Sequence, residues 1–102
     1  MKRQVINLRT SQREELLDIP SKVEQVAGEM RIKNGLLSLY AQGATAAIMI
    51  QENWDRSVPL DVVQFLQKLI PRGVWLHDQQ DGNGDAHLKA WLVCPSETIL
   101  II

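Results

Sequence analysis

A chain of 102 residues, 45% of them hydrophobic, is long enough for one domain with a modest core and too apolar for a disordered segment. With 11 basic and 12 acidic residues the formal net charge is -1, and no basic block runs along the chain, which argues against a nucleic-acid partner. The single cysteine, Cys94, excludes an intramolecular disulfide and a CxxC-type zinc site. No run approaches the ~20 apolar residues of a membrane helix, and the N-terminus lacks an apolar signal core. The expectation is a cytoplasmic protein with no membrane association.

In chain order, Arg3 to Arg9 alternate loosely and predict a first strand. Ser21, with Glu24 three residues later, predicts a capping box that opens a helix. Val23, Val26, Ala27 and Met30 share one face of that helix. Asn34-Gly35 marks a turn, and the stretches Leu36 to Ala41 and Thr45 to Ile50 predict two paired strands. Val58 to Ile70 predicts a second helix with Pro59 in its first turn, Pro71 as its stop, and Val62, Phe65, Leu66 and Leu69 as its buried stripe. Asp61 lies near its positive N-terminal end. Gly73 to Leu76 reads as a short strand, Ala86 to Val93 as either helix or strand, and Thr98 to Ile102 as a final strand. The order predicts an α+β fold, a mainly antiparallel sheet packed with two helices, in a single domain spanning 1–102.

The residues richest in chemistry lie between His77 and His87. Two imidazoles, which bind metals or move protons, are surrounded there by the oxygen donors Asp78, Asp81, Asn83 and Asp85. A calcium loop starting at Asp81 is excluded, because Ala86 stands where its glycine and Leu92 where its acidic twelfth residue would be. Two readings stay open: a ligand site, or a turn built from its usual Asp, Asn and Gly residues. A second polar run, Gln51 to Arg56, is either a solvated loop or a source of carboxylates, Glu52 and Asp55, for the histidines.

The joint spacing of Gly43-Ala-Thr-Ala-Ala-Ile-Met-Ile-Gln-Glu-Asn-Trp-Asp, Val58 and Asp61, His77-Asp, and Asn83-Gly-Asp-Ala-His-Leu-Lys resembles the YjbQ-like family. That family is largely uncharacterised and also carries the label secondary thiamine-phosphate synthase. The opening from Gln4 to Asp18-Ile19 and the closing Pro95-Ser-Glu-Thr-Ile are similar too, so the resemblance spans essentially the whole chain. It implies a compact α+β domain, usually a homotrimer, with a polar site near subunit contacts and three histidines that hold a metal ion or an anion. Two of them match His77 and His87. The first falls on Gly43, where only Thr45, Ala46 and Ala47 keep the family's pattern.

The implied catalytic set is therefore His77, His87, Asp61 and Glu52, with Thr45, Asn53, Asp78 and Asn83 contacting a small-molecule or anionic substrate. A divalent metal, zinc or magnesium, would sit on His77 and His87 and bind more weakly for want of a third histidine. The family also continues through a Pro-containing strand into further strands. Here Leu100 stands at the proline position, and those C-terminal strands are expected to be missing. Ile99 to Ile102 is then either an intersubunit strand or an aggregation hazard, and a homo-oligomer, most simply a trimer, is expected. Two functions follow. The first is an oligomeric binding or structural protein with a degenerate metal or anion site. The second is a metal-assisted transferase of the thiamine-phosphate synthase type, which needs a cation on the leaving diphosphate. The missing histidine and strands favour the first, and so does the lack of a Gly-rich phosphate loop followed by lysine.

Overall fold

Pro20 opens the first regular element, because its fixed φ suits the first turn of a helix and its missing N–H costs nothing there. The computed structural model describes residues 1–52 and 54–102. Helix α1 runs Pro20–Glu29, so Ser21 lies inside it and cannot cap it. The N-cap is Ile19, without a side-chain cap bond, and the expected Ser21–Glu24 capping box does not form. At its other end Arg31 adopts φ 57°, its N–H donates to the Gly28 carbonyl, and the Ile32 N–H reaches the Ala27 carbonyl at 3.2 Å. These are the paired bonds of a Schellman termination.

Strand β1, Gly35–Tyr40, matches the expected first half of a strand pair, but its partner is at the far end of the chain. Strand β2, Ser96–Ile101, runs antiparallel to it, with Leu37 opposite Ile99 and Leu36 opposite Leu100. Both strands alternate between half-buried and exposed positions, so the register brings Leu37, Leu39, Ile99 and Ile101 to one face. The expected pairing of β1 with Thr45 to Ile50 is therefore corrected. That stretch forms a turn at its start, where the Ala46 N–H reaches the Gly43 carbonyl. It then meets the end of α3 through the Ile48 N–H, which donates to the Cys94 carbonyl at 3.1 Å. Arg3 to Arg9 forms no strand either: the sheet among the described residues consists of β1 and β2.

Helix α2, Ser57–Leu69, falls one residue from its expected bounds. The Asp55 carboxylate accepts the Ser57 N–H at 2.9 Å, and Ile70 closes the helix onto Leu66 before Pro71. The predicted apolar stripe divides: Val62 and Leu66 are half-buried, whereas Phe65 and Leu69 are exposed. The expected strand from Gly73 to Leu76 does not form: its first residues are turn and bend, and Leu76 already begins a 3-10 turn over Leu76–Gln79. The ambiguous Ala86 to Val93 resolves as helix α3, Gly84–Val93, which makes three α-helices among the described residues. The fold is α+β with a small antiparallel sheet, as expected. None of these helices is long and apolar enough to cross a membrane.

Little apolar surface is sequestered within the chain. Among the described residues only Ile70 and Ala90 are buried hydrophobics, while Leu36, Tyr40, Phe65, Trp91 and Leu100 are exposed. The accessible surface is 8354 Å², against about 5,800 Å² for a folded monomer of this mass. The radius of gyration is 15.5 Å, against about 13 Å for a compact domain of this length.

Cys94 follows α3 at φ 79°, ψ 149°, a region that L side chains avoid and that costs about 1–3 kcal/mol to hold. Cys94→Gly should therefore raise the urea midpoint, by about 1 kcal/mol of stability at unchanged m-value. An unchanged or lowered midpoint would show that no strain is stored there.

Candidate two-histidine site

His77 belongs to the 3-10 turn and His87 to the first turns of α3, and the two rings meet edge to face with centroids 4.6 Å apart and planes at 81°. The segment expected to be a loop is thus two short helical pieces joined at Asp81-Gly82-Asn83. Gly82 supplies the positive φ, 67°, that this reversal requires. Asp81 Oδ2 lies 3.4 Å from His77 Nε2 at the exposed side of the pair.

The contact between the rings is set by the backbone beneath them. Asp78 Oδ2 accepts the Trp75 N–H at 3.0 Å and Oδ1 accepts the Gly84 N–H at 2.7 Å, so one carboxylate ties the 3-10 turn to the start of α3. The N–H of a first helical residue ordinarily has no partner, and here Asp78 provides one from outside the helix. Asn83, at the N-cap position, makes no cap bond, and its Oδ1 is buried with no hydrogen-bond partner among the described residues. Gly84 permits the close approach: a Cβ there would stand 2.8 Å from Trp75 Cβ and 3.1 Å from Asp78 Oδ1. The two N–H donors, from Trp75 and then Gly84, hold the Asp78 carboxyl below the ordinary carboxylate range.

Asp85 is the most enclosed group in the region, with no accessible surface. Arg13 of the N-terminal segment donates to it through Nη2 at 2.8 Å and Nη1 at 3.1 Å, and Lys89 Nζ donates at 2.8 Å from one turn later in α3. Lys89 also reaches Glu14 Oε1 at 2.7 Å, and Arg13 Nη1 reaches the same oxygen at 2.9 Å. The guanidinium of Arg13, and after it Lys89, hold the Asp85 carboxyl far below its usual range against the opposing effect of burial.

The other expected site residues lie on other elements. Glu52 is exposed and accepts the Asp55 N–H at 3.0 Å, so it organises the loop ahead of α2. Asp61 is exposed on α2 and lines an open groove with Glu14, Leu16, Arg56 and Gln64. Thr45 is exposed in the turn after β1. Asn53 lies outside the described residues. At Gly43, where the resemblance places a first histidine, a Cβ would stand 3.3 Å from Ala46 Cβ. The structure therefore brings the His77 and His87 rings together, with Asp78 and Asn83 in the stretch that connects them. Among the described residues no group of three or more His, Cys, Asp or Glu is placed to hold a metal ion. Asp85, Arg13, Lys89 and Glu14 form the anchoring cluster that sequence reasoning passed over. The i,i+4 spacing of Asp85 and Lys89 was the only local signal for it.

Comparison with known proteins identifies the lineage. The model of the UPF0047 protein YjbQ-like family matches residues 4–102. The chain belongs to the YjbQ-like family. A UPF0047 protein from Methanocaldococcus jannaschii is 42% identical over 94 residues, covering 92% of this chain and 67% of that protein. The UPF0047 protein YugU from Bacillus subtilis is 30% identical over 99 residues, covering 94% of this chain and 73% of the relative. Among solved structures, a hypothetical protein from Aeropyrum pernix K1 superposes with a TM-score of 0.88 at 32% identity, covering 93% of this chain and 71% of the other. A YjbQ/UPF0047 family protein from Clostridium acetobutylicum gives 0.85 at 34% identity, covering 92% and 72%. The YjbQ-like fold of this chain is thus shared by relatives that extend beyond the matched stretch.

Two measurements test this geometry. Gly84→Ala should destabilise the protein by about 1–3 kcal/mol, because the new methyl group meets Trp75 with no room to move. An unchanged melting temperature would contradict the close approach. Asp78 and Asp85 both have folded-state pKa values below the ordinary 3.8, so their contribution is complete above that value and is lost as pH falls below it. Urea midpoints should fall steeply below about pH 4, and Asp85→Asn should flatten that acid limb. An acid limb equally steep in Asp85→Asn would assign it to other carboxylates.

Proposed function

We propose that this YjbQ-like protein is an oligomeric binding protein that holds a divalent metal ion, or a small anion, at the His77–His87 pair. The observation that carries the reading is the direct meeting of the chain's only two histidines, at a centroid separation of 4.6 Å. Imidazole nitrogens ligate zinc and donate hydrogen bonds to anions, and a carboxylate beside a ligating histidine, as Asp81 is beside His77, orients the ring. Two histidines fall one short of the three protein ligands usual at a catalytic zinc, which fits a weakened site in the cytoplasm better than a working metalloenzyme. The transferase of the thiamine-phosphate synthase type comes second. It calls for Asp61 and Glu52 beside the imidazoles, whereas Glu52 is bonded to the Asp55 N–H and Asp61 lines the groove beside residues 12–16.

The oligomeric half of the reading rests on surface. The chain exposes 8354 Å², roughly 2,500 Å² beyond the monomer expectation, and a standard interface covers about 800 Å² per partner. A homotrimer, in which each subunit meets two neighbours, would cover much of that excess. Among the described residues β2 is paired on one side only, by β1, and its other edge is the natural place for a strand from a neighbour to add.

Calorimetric titration of the full chain with zinc, and separately with inorganic phosphate, tests the ligand. One of the two should bind, and either His77→Ala or His87→Ala should weaken it at least about tenfold. Absence of binding for both probes, or equal affinity in His87→Ala, would refute the reading. Native mass spectrometry should show an oligomer at micromolar concentration, and a monomeric mass would refute the oligomeric assignment.

A further inference from the structure

A charge cluster centred on the buried Asp85 lies on α3, the helix that also carries His87. Asp85 has no accessible surface in a chain whose buried apolar residues are few, and a fully desolvated carboxylate is expensive unless its partners are held in place. Its partners come from two sources, Arg13 in the N-terminal segment and Lys89 on its own helix. Glu14 closes the ring by accepting from both Lys89 and Arg13. The cluster therefore fixes α3 to a segment with no regular structure of its own.

Helical geometry gives this anchoring a direction. Asp85 and Lys89 are four residues apart and share one face of α3, whereas His87 lies midway between them in sequence and so on the opposite side. On that opposite side it meets His77. The axial rotation of α3 is thus held at the anchored face and read out at the histidine face. A rotation of about 20° displaces a side-chain tip by ~2 Å, enough to separate rings in contact or to spoil a ligand geometry. Asp78 clamps the entry of the helix at Gly84 and limits its translation, which leaves rotation to the Asp85 cluster.

We propose that Asp85, through Arg13, is a positioning residue of the two-histidine site: it sets the rotation of α3 that brings the His87 ring onto His77. The inference rests on the reading of that pair as a binding site for its functional meaning, but the positioning itself is independent of ligand. Two variants test it in the full chain. Asp85→Asn removes the charge while keeping the shape. Arg13→Gln removes the partner from the exposed segment and leaves Asp85 with Lys89, so it remains informative if Asp85→Asn does not fold.

The direct readout is the NOE between the ring protons of His77 and His87, recorded without any added metal. Zinc affinity is the second readout, and circular dichroism verifies the fold. The expected result is a folded variant that has lost the inter-ring NOE and binds zinc at least about tenfold more weakly, as second-shell losses do. Gly84→Ala would serve poorly as a control because it touches the same clamp. Lys68→Ala, on exposed α2, should leave both readouts unchanged. A folded Arg13→Gln or Asp85→Asn protein that keeps the inter-ring NOE at full intensity would overturn the proposal. A wild-type protein that binds no zinc, with the NOE still lost in the variants, would sink the metal reading and leave the positioning role standing.

Discussion

The carboxylate of Asp78 accepts the Trp75 N–H at 3.0 Å and the Gly84 N–H at 2.7 Å, and the meeting of the two histidines hangs on that bridge. It works because two requirements coincide. The first N–H of α3 needs a partner, and the preceding turn must come close enough to provide one. Glycine at residue 84 permits the approach, since any side chain there would run into Trp75. Asp78 was expected to touch substrate, and in the structure each of its oxygens accepts a backbone N–H. Its role in the site is to hold the turn that presents His77 against the helix that presents His87.

Around this bridge the molecule relies on polar ties more than on an apolar interior. The Asp85 carboxylate is fully enclosed by Arg13 and Lys89, while Leu36, Tyr40, Phe65, Trp91 and Leu100 face outward. A buried ion pair adds little net stability but is costly to break, because the charge left behind is desolvated and unpaired. Such a cluster therefore specifies geometry better than it stabilises the fold. The apolar residues left facing outward are where further burial would add stability. The same division explains the elongated shape: the ribbon of β1 and β2 and the exposed stripe of α2 present surfaces that the chain does not cover by itself.

Local signals were legible where local physics decides the outcome. Helix α2 carries its proline at the start and at the stop, and its bounds were read to within a residue. The strands β1 and β2 were recognised individually from their aliphatic residues. Their pairing was not, because adjacency in sequence favoured Thr45 to Ile50 and nothing local announces a partner at the far end of the chain. The cap of α1 was misplaced because Ser21 has the right chemistry, but Pro20 before it has the stronger conformational preference. At the site, His77 and His87 stood out in composition and in family spacing, and their rings do meet. Their setting did not stand out. Asn83 occupies the N-cap position of α3, yet the bond to Gly84 comes from Asp78, while Glu52 accepts the Asp55 N–H ahead of α2 and Asp61 lines a groove on that helix. Arg13 and Asp85 lie too far apart in sequence for any periodicity to join them.

The most direct measurement of the bridge is native-state hydrogen exchange at the Gly84 amide. A first-turn amide without a partner exchanges quickly, whereas one held by Asp78 should be protected to about the level of the interior amides of α3. Slow exchange at Gly84 that becomes fast in Asp78→Asn is the predicted result. Exchange of Gly84 at the rate of an exposed, unbonded amide in the unmodified protein would contradict the account.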